Sequence, residues 1–497
     1  MSDPQSYIAV DLGAESGRVV LASLEGEIVN LKEVHRFANG PVRLPDGIHW
    51  DVLQLWSEIK TGIAAAIKGG ANPAGIGLDT WGVDFGLLDR NRSLLGNPFH
   101  YRDARTDGML DEAFKRVPRA EIFAKTGIQF MQLNSLYQLL SISLGNPRVF
   151  DLAETFVTVP DLFNYWLSGK IANEFTIATT TQCFNPIQHE WDQELLESFG
   201  IPTRLFRPVS EPGTVLGTLN QGVMEESGAG AIAVVAPACH DTGSALVAVP
   251  AQNQDFAWIS SGTWSIMGAE VRQPALGEKA LAYNITNEGG AGGTWRLSKN
   301  IMGLWLVQEC RRSWQSQGED LNYDEITRLA RDAKSFLAVV DTDADLLFHP
   351  GDMPEKICKA CSESGQEIPQ TKGEIIRVAL ESLALKYRCT LEQIEELAGK
   401  RLDPIHIIGG GTKNRLLNQF TADSTGRPVV TGPVEATATG NVLMQAIALG
   451  QLGSLADARA VVRKSFELES YQPGKRDGWD EAYTKYMRLF GKTSEIS

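Results

Sequence analysis

The chain has 497 residues, of which 43% are hydrophobic and 22% charged, and its formal net charge is −15. This length and composition predict a globular protein with at least two domains, and the acidic balance argues against nucleic-acid and anionic-membrane partners. No apolar run approaches the roughly 18 residues that a membrane span needs, and the N-terminus lacks the basic start and apolar core of a signal peptide, so we expect a cytoplasmic protein.

The first predicted element is a pair of strands at the N-terminus. Residues 7–10 and 19–24 are rich in β-forming side chains, and a tight loop joins them. The backbone N–H groups of this loop, the Ser16 hydroxyl and the Arg18 guanidinium are all suited to binding phosphate oxygens. Asp11, at the end of the first strand, could hold Mg²⁺ through its waters. A β-hairpin with a bulge and a solvated Asp11 is the alternative interpretation of this stretch.

A second copy of this pattern occupies residues 256–267, which read as an apolar strand, a hydroxyl-rich turn around Gly262 and another apolar strand. Two such hairpins in separate halves of one chain predict a duplicated fold that faces a nucleotide from both sides. The loop G-x-x-x-x-G-K-[ST] does not occur in the sequence, so any ATP is held in another manner.

Two candidate ligand-binding groups follow the first hairpin. A buried strand begins at residue 74 and breaks around Trp81 and Gly82. Trp81 either presents one flat face to a small ligand or is packed in the core at a strand crossing. Arg102 lies in the charged run 101–105, which would bind a polyhydroxylated ligand or form exposed ion pairs.

The strongest candidate for a catalytic group follows the apolar run 231–235, which we predict to be a strand. His240, Asp241 and Thr242 come shortly after it, and small residues then open a helix. Reactive groups of doubly wound sheets lie at the carboxyl ends of strands, so Asp241 is the candidate catalytic carboxylate. The short polar segment 249–254 is the predicted link between the two halves.

Helical spacing predicts most of the remaining elements. Asp51 caps a helix that ends near Ile67, and a long amphipathic helix spans residues 374–397. We further predict a loop at 176–181, a helix that begins at 300–308 after a glycine-rich turn at 289–293, a polar surface insertion at 358–370, and a small-residue helix at 442–449 suited to close packing at a hinge.

Glycines 409–411 lie between a predicted strand at 404–408 and a predicted helix at 414–420. Because glycine has no side chain, such a turn leaves room for an adenine and a ribose against the backbone. This turn is therefore a candidate part of the nucleotide site.

Among six cysteines, only Cys358 and Cys361 have C-x-x-C spacing, and no second pair stands nearby to complete a zinc site. They are either a redox pair or ordinary reduced thiols.

Seven motifs occur in order along essentially the whole chain: V-D-L-G-A-E-S-G-R, D-T-W-G-V-D-F, Y-R-D-A-R-T, H-D-T-G-S-A, S-S-G-T-W-S, N-I-M-G-L-W-L-V-Q and H-I-I-G-G-G. Together they resemble those of the FGGY carbohydrate kinases. The resemblance implies an α/β fold of two ribonuclease-H-like domains, as in actin-like ATPases, with a cleft between them. We place these domains at residues 1–249 and 250–497.

The resemblance also implies site residues. Asp241 resembles the catalytic base of the family and also contacts the sugar. The positions that resemble the ATP contacts are Ala14, Glu15, Ser16, Gly17, Arg18, Thr263, Gln308 and Gly410. Those that resemble the sugar contacts are Gly82, His240, Thr242 and Asn300, and we add Trp81 and Arg102 to this set from the residues themselves. Glu15 stands where related kinases have a small hydroxyl residue.

The activity that the resemblance implies is ATP-dependent phosphorylation of L-rhamnulose on its C1 hydroxyl, with Mg²⁺ as the accompanying ion. A kinase for another ketose, L-fuculose or a xylulose, is the main alternative. A non-catalytic actin-like ATP-binding protein is the other, although it would have no use for Trp81, Arg102 and Asp241 in one cleft. We expect a monomer or a small homo-oligomer.

Overall fold

The computed structural model describes residues 5–474, 476 and 478–491, which form two α/β halves. The strands of the first half are β1 Gln5–Leu12, β2 Ser16–Glu25, β3 Ile28–Ala38, β4 Pro41–Leu44, β5 Gly47–Trp50, β6 Gly75–Thr80, β7 Phe85–Asp89, β8 Ala153–Thr158, β9 Asn173–Glu174, β10 Phe184–Asn185, β11 Glu190–Trp191, β12 Val209–Ser210, β13 Thr214–Thr218 and β14 Ala233–Ala236. Its α-helices are α1 Val52–Lys68, α2 Met109–Arg116, α3 Arg119–Thr126, α4 Ser135–Gly145, α5 Arg148–Leu152, α6 Val159–Ser168, α7 Phe175–Ala178, α8 Gln193–Ser198, α9 Gln221–Ser227 and α10 Asp241–Val247.

The second half continues the same alternation of strands and helices. Its strands are β15 Ala257–Ser261, β16 Trp264–Val271, β17 Thr286–Gly289, β18 Trp295–Met302, β19 Ile405–Ile408, β20 Val429–Thr431 and β21 Ser470–Tyr471. Its α-helices are α11 Glu278–Ala282, α12 Trp305–Ser316, α13 Tyr323–Asp332, α14 Asp345–Phe348, α15 Met353–Glu363, α16 Lys372–Ala398, α17 Arg415–Thr425, α18 Ala436–Ala448, α19 Leu455–Ser465 and α20 Trp479–Phe490. Within the described residues, no helix combines the length and apolar character needed to cross a membrane.

The two large sheets share one topology. The first has the order β13-β14-β6-β1-β2-β3, in which β1, β2 and β3 are antiparallel and β6 and β14 run parallel to β1. The second has the order β17-β18-β16-β15-β19-β20-β21, with β15, β16 and β18 antiparallel and β19 and β20 parallel to β15. This repetition confirms the duplicated fold predicted from the two hairpins.

The first sheet is a buried layer with apolar residues on both faces. Along β1, Ile8 and Val10 pack with the cluster that includes α1 and α6, whereas Tyr7 and Ala9 pack with α10 and α18. Alternate side chains of a strand point to opposite faces, so this pattern is what a sheet covered by helices on both sides requires. The predicted cap of α1 is confirmed, since the Asp51 side chain accepts a hydrogen bond from the Gln54 N–H at 3.0 Å.

Helix α18 belongs to the second half in sequence but packs against the first sheet. A Cβ atom at Gly440 would lie 1.8 Å from the carbonyl oxygen of Ser244 in α10, so only glycine permits this close crossing. Asn441 Nδ2 donates to Asp79 Oδ2 at 2.5 Å, and Gln445 Nε2 donates to the carbonyl of Ile8 at 2.9 Å. The small-residue helix predicted at 442–449 is confirmed, and it begins earlier, at Ala436.

The prediction of a loop at 176–181 is wrong. These residues lie in α7 and in a buried 3₁₀ turn, Thr179–Thr181. The hydroxyls of Thr179, Thr180 and Thr181 each donate to the backbone carbonyl three residues earlier, at 3.1, 2.8 and 2.5 Å. Because each hydroxyl has a partner in the preceding helix α7, a threonine-rich helical segment can be buried here.

Two further predictions of secondary structure need correction. Asn300, Ile301 and Met302 lie at the end of strand β18, and the helix begins only at Trp305, after Gly303. The segment predicted as a polar insertion at 358–370 begins inside α15, which is capped by Asp352 and buries Cys361. Apolar residues recur at every fourth position of this helix, and most of them come before residue 358. This spacing places the helix in the core.

Candidate active site

A cavity of about 630 Å³ lies between the two halves. Its lining contains residues from both hairpins, from the strand break at Trp81 and from the start of α10. Of the predicted site residues, it includes Asp11, Ala14, Ser16, Arg18, Trp81, Gly82, His240, Asp241, Thr242, Asn300 and Gly410. Those outside the lining are Glu15, Gly17, Arg102, Thr263 and Gln308.

The two hairpins present their turns to this cavity. The Gly13 N–H donates to the Ser16 carbonyl at 2.9 Å, and the Gly262 N–H donates to the Trp264 carbonyl at 2.8 Å. The triple-glycine turn packs directly on the second hairpin, since a Cβ atom at Gly411 would lie 1.9 Å from the Ser261 hydroxyl. Behind the second turn, the Thr263 hydroxyl donates to Gln308 Oε1 at 3.0 Å. Residues of both turns therefore line the same cavity.

Arg18 links the first hairpin, β1–β2, to the second half. It lies opposite Asp11 in the β1–β2 pair, and Asp11 Oδ2 accepts from Arg18 Nε at 2.9 Å and from Nη2 at 2.5 Å. Arg18 Nη1 also pairs with the carboxylate of Glu435, which precedes α18. The guanidinium is therefore neutralised by one carboxylate from each half.

Asp241 presents one oxygen to the cavity. Its Oδ1 accepts from the Thr242 N–H and, at 3.0 Å, from the Thr242 hydroxyl, and it lies 3.3 Å from His240 Nε2. Within the described part of the chain, Oδ2 has no hydrogen-bond partner, and the side chain is 34% exposed. Donors gathered on one oxygen fix the carboxylate plane and leave the other oxygen as the acceptor.

His240 is surrounded by charged groups on its other side. Its Nδ1 lies 2.9 Å from Arg296 Nη1 and 3.3 Å from Glu288 Oε2. Glu288 and Arg296 face each other in the β17–β18 pair, 3.0 Å apart. Burial by itself would raise the pKa of Glu288, but the charge of Arg296 is the main opposing influence, and the pKa is lowered to about 2. Glu288 is therefore an anion at the wall of the cavity.

Trp81 satisfies both interpretations of the sequence, because it lines the cavity and is also part of the core at 6% exposure. Its indole N–H donates to Asp84 Oδ2 at 3.0 Å, and the indole N–H of Trp50 donates to the same oxygen at 2.5 Å. Burial raises the pKa of Asp84 to about 6. Arg102 is exposed and is not part of the cavity lining, and its guanidinium carbon lies 5.7 Å from the ring centre of Tyr101, which does line the cavity.

The turn after Trp81 holds an unusual backbone conformation. Val83 has φ of 67°, in the left-handed region that a β-branched residue rarely adopts. Its N–H donates to the Thr180 hydroxyl at 3.1 Å, and its carbonyl accepts from the Ser135 hydroxyl. These bonds hold Gly82 against the cavity, and strained backbone of this kind is concentrated at functional sites.

Asn300 reaches the cavity from the end of β18. Its backbone N–H and its side-chain Nδ2 both donate to Gln129 Oε1, at 3.1 and 3.0 Å. Gln129 belongs to the first half, so this pair joins the two halves at the wall of the cavity. The amide oxygen of Asn300 remains available as an acceptor for a ligand.

Sequence reasoning missed Gln129, Glu288, Arg296 and Glu435 as residues of the cavity or of its wall. For Glu288 and Arg296 a signal was present, since opposite charges stand on the two sides of the glycine-rich turn, as in a cross-strand pair of a hairpin. Gln129 and Glu435 lie in irregular segments, and only the packing of the two halves brings them to the cavity.

The described residues contain no group of three or more His, Cys, Asp and Glu side chains able to hold a metal by themselves. Asp11 and Asp79 are opposite each other in neighbouring strands. Burial, followed by the charge of Asp11, raises the pKa of Asp79 well above its usual range, so this fully buried group favours its neutral form. Of this pair, Asp11 is therefore the carboxylate that lines the cavity and could contact a hydrated cation there.

The cysteines do not form a reactive pair. All six are free thiols, and Cys361 is buried within α15 while Cys358 is half-buried. Burial raises the pKa of the Cys358 thiol and raises that of Cys361 to about 12. Both thiols are therefore poor nucleophiles near neutral pH.

Comparison with known proteins agrees with this geometry. Residues 6–248 match the N-terminal domain of the FGGY family of carbohydrate kinases, and residues 257–449 match its C-terminal domain. The chain is 42% identical over 482 residues to a rhamnulokinase of Bacteroides thetaiotaomicron, covering 97% of this chain and 99% of that protein. It is 41% identical over 474 residues to a rhamnulokinase of Oceanobacillus iheyensis, covering 95% and 100%.

Solved structures share the fold at low sequence identity. A ligand-bound xylulose kinase from Lactobacillus acidophilus superimposes with a TM-score of 0.82 at 16% identity, over 99% of both chains. A glycerol kinase from Plasmodium falciparum with ADP gives a TM-score of 0.79 at 15% identity, over 99% of this chain and 98% of that one. These comparisons confirm the predicted two-domain, actin-like α/β architecture and the kinase class. The chain belongs to the FGGY family of carbohydrate kinases.

Proposed function

We propose that the chain transfers the γ-phosphoryl group of ATP to the C1 hydroxyl of L-rhamnulose, with Asp241 as the general base. The observation that carries this proposal is that Asp241, whose Oδ2 has no hydrogen-bond partner among the described residues, lines the cavity together with the two hairpins β1–β2 and β15–β16. A carboxylate in this position can take the proton of a sugar hydroxyl as that hydroxyl attacks the γ-phosphorus.

The choice of sugar rests on the relatives. Proteins named rhamnulokinase share 37 to 42% of their residues with this chain over nearly its whole length. The polar groups that would meet the remaining hydroxyls are His240, Thr242 and Asn300, with Trp81 and Gly82 against the carbons of the sugar. A kinase for L-fuculose or a xylulose would use the same base, because few side chains decide which ketose is bound.

ATP would lie between the hairpins and the triple-glycine turn. Ala14, Ser16, Gly17 and Arg18 are the proposed phosphate contacts, with Thr263, Gln308 and Gly410 on the nucleoside side, and Glu15 stays a prediction at the edge of the first turn. Arg18 can exchange its contact with the Glu435 carboxylate for one with the phosphates, because both groups are anions. Mg²⁺ would be held by Asp11, water and the phosphates, and it would reduce the negative charge that repels the attacking oxygen.

The test is a coupled ATPase assay with L-rhamnulose, L-fuculose, D-xylulose and L-xylulose, and Asp241→Asn as the control for contaminating kinases. We expect the highest kcat/KM with L-rhamnulose. An epimer that misplaces one hydroxyl should lose about ten- to a hundredfold, because each unpaired buried donor costs roughly 1–3 kcal/mol. If another ketose exceeds L-rhamnulose tenfold, the sugar assignment is wrong. If no ketose stimulates ATP turnover, the kinase proposal itself fails for these sugars.

A further inference from the structure

We propose that Arg296 is a positioning residue, which holds His240 in the tautomer with its proton on Nε2 and thereby orients the carboxylate of Asp241. This inference rests on the proposed function, in which Asp241 is the base. Arg296 extends from β18 of the second sheet, and its side chain is only 1% exposed. No part of the side chain is free to meet a substrate, so any role in the reaction is exerted through its neighbours.

The hydrogen-bond chemistry of Arg296 determines the tautomer. A guanidinium is always protonated and has no acceptor, so Nη1 donates in its 2.9 Å contact with His240 Nδ1. That nitrogen must then accept with its lone pair. Glu288 Oε2 is farther away, at 3.3 Å, and would require a proton on the same nitrogen. The shorter contact with a permanent cation prevails, and the imidazole proton is on Nε2.

This tautomer favours the observed position of Asp241. His240 Nε2 lies 3.3 Å from Asp241 Oδ1, so a proton on Nε2 places positive partial charge beside the oxygen that already accepts from Thr242, without completing a hydrogen bond to it. In the opposite tautomer, the Nε2 lone pair would face that oxygen and repel it. The carboxylate could then turn, and Oδ2 would no longer be fixed toward the sugar hydroxyl. Tautomer control by a buried charged neighbour has this function in hydrolytic triads.

Arg296 also couples this arrangement to the position of the two halves. Its Nε donates to the Gly289 carbonyl at 2.7 Å and its Nη2 pairs with Glu288 at 3.0 Å, and both partners belong to the second half. On the other side, Nη2 donates to the carbonyl of Thr176 at 3.3 Å, and Nη1 to His240, in the first half. The base is therefore oriented by a cation from the opposite half, and it is correctly set only when the halves meet.

The experiment reads the tautomer directly, by two-bond ¹⁵N–¹H correlation NMR of the unliganded protein labelled at its histidine nitrogens. The chain has seven histidines, so His240 can be assigned by comparison with His240→Gln. We expect a neutral His240 with its proton on Nε2. In the double variant Arg296→Met/Glu288→Gln, which removes both buried charges together, we expect loss of this single tautomer and a fall in kcat of about ten- to a hundredfold. The KM for ATP should change less than twofold.

The matched control is Arg415→Met/Glu469→Gln, which removes an exposed ion pair of the second half and should change neither the spectrum nor kcat. A wild-type proton on Nδ1, or on both nitrogens, would overturn the proposal. So would a double variant that keeps the tautomer and turns over within threefold of wild type. If the double variant does not fold, the wild-type spectrum decides by itself. Because the spectrum is recorded without sugar, a failed ketose panel leaves this result intact.

Discussion

Replacing Asp241 with Asn would remove the proposed base with almost no change of shape. In the wild type, Oδ1 accepts from the N–H and hydroxyl of Thr242 and faces His240. The amide oxygen of an asparagine can accept from the same donors. Its NH₂ group would then stand where Oδ2 faces the cavity, and it would donate to the sugar hydroxyl instead of accepting its proton.

The size of the effect follows from this geometry. Loss of a general base typically costs about 10²–10⁴ in rate, which corresponds to about 3–5 kcal/mol in the activation free energy. The folded state should lose less than about 1 kcal/mol, because the buried donors keep an acceptor. Affinity for ATP should be unchanged, since the two hairpins lie elsewhere on the cavity wall. The substitution therefore separates chemistry from folding and nucleotide binding.

The assay is sugar-dependent ADP release under saturating ATP, with ATP affinity measured by calorimetry and stability by urea unfolding. Asp255→Asn is the matched control, because Asp255 is an exposed carboxylate that pairs with Lys400 at 2.8 Å. A variant at position 241 that turns over within threefold of wild type would refute the assignment of the base. A large loss of stability would instead show that the carboxylate is needed for the fold.

Three further outcomes are expected. Gly440→Ala should lower the free energy of unfolding by about 1–3 kcal/mol in urea titrations, because its Cβ would meet the carbonyl of Ser244, whereas Gly69→Ala, with open space around it, should change little. Burial raises the pKa of Glu174 to about 8 from an unfolded value of 4.5, so the folded state keeps this proton longer and stability should fall as pH rises from about 4.5 to 8. Glu174→Gln should flatten that slope, which amounts to at most about 5 kcal/mol, and an unchanged pH profile of unfolding would contradict this. Sugar together with a non-hydrolysable ATP analogue should reduce the radius of gyration in X-ray scattering, since closure keeps water from the γ-phosphate, and an identical profile would count against closure.

The parts of the fold that could be predicted from sequence are those fixed by local pattern. The hairpin around Ser16 is marked by β-rich runs on both sides of a glycine-containing turn, and the long helix α16 by apolar spacing. Asp51 marks the start of α1 because its cap is made within three residues. For such elements, the stabilising contacts lie close together in the sequence, so the sequence itself contains the signal.

The errors arose where distant partners decide the local structure. Asn300 stays in a strand because its N–H donates to Gln129 and because β18 pairs with β16 along its whole length. The buried threonines after residue 175 have backbone partners that appear only once the turn has formed. In the site, the base and the first hairpin were predictable from motifs. Gln129 and Glu435 were not, since only the packing of the two halves brings them to the cavity, and the cross-strand charges of Glu288 and Arg296 carry no signal of their contact with His240.

Because α18 packs against the first sheet, the chain is harder to divide into two fragments than its two family domains suggest. A fragment that ends at residue 249 would keep the whole first sheet but lose the helix that covers it at Gly75 and Gly77. It would also expose Asp79 and the carbonyl of Ile8, which α18 satisfies through hydrogen bonds. Although the architecture repeats, neither half can replace the other, and the first half is not complete without α18. Engineering that swaps or separates them has to carry residues 436–448 along with the first half.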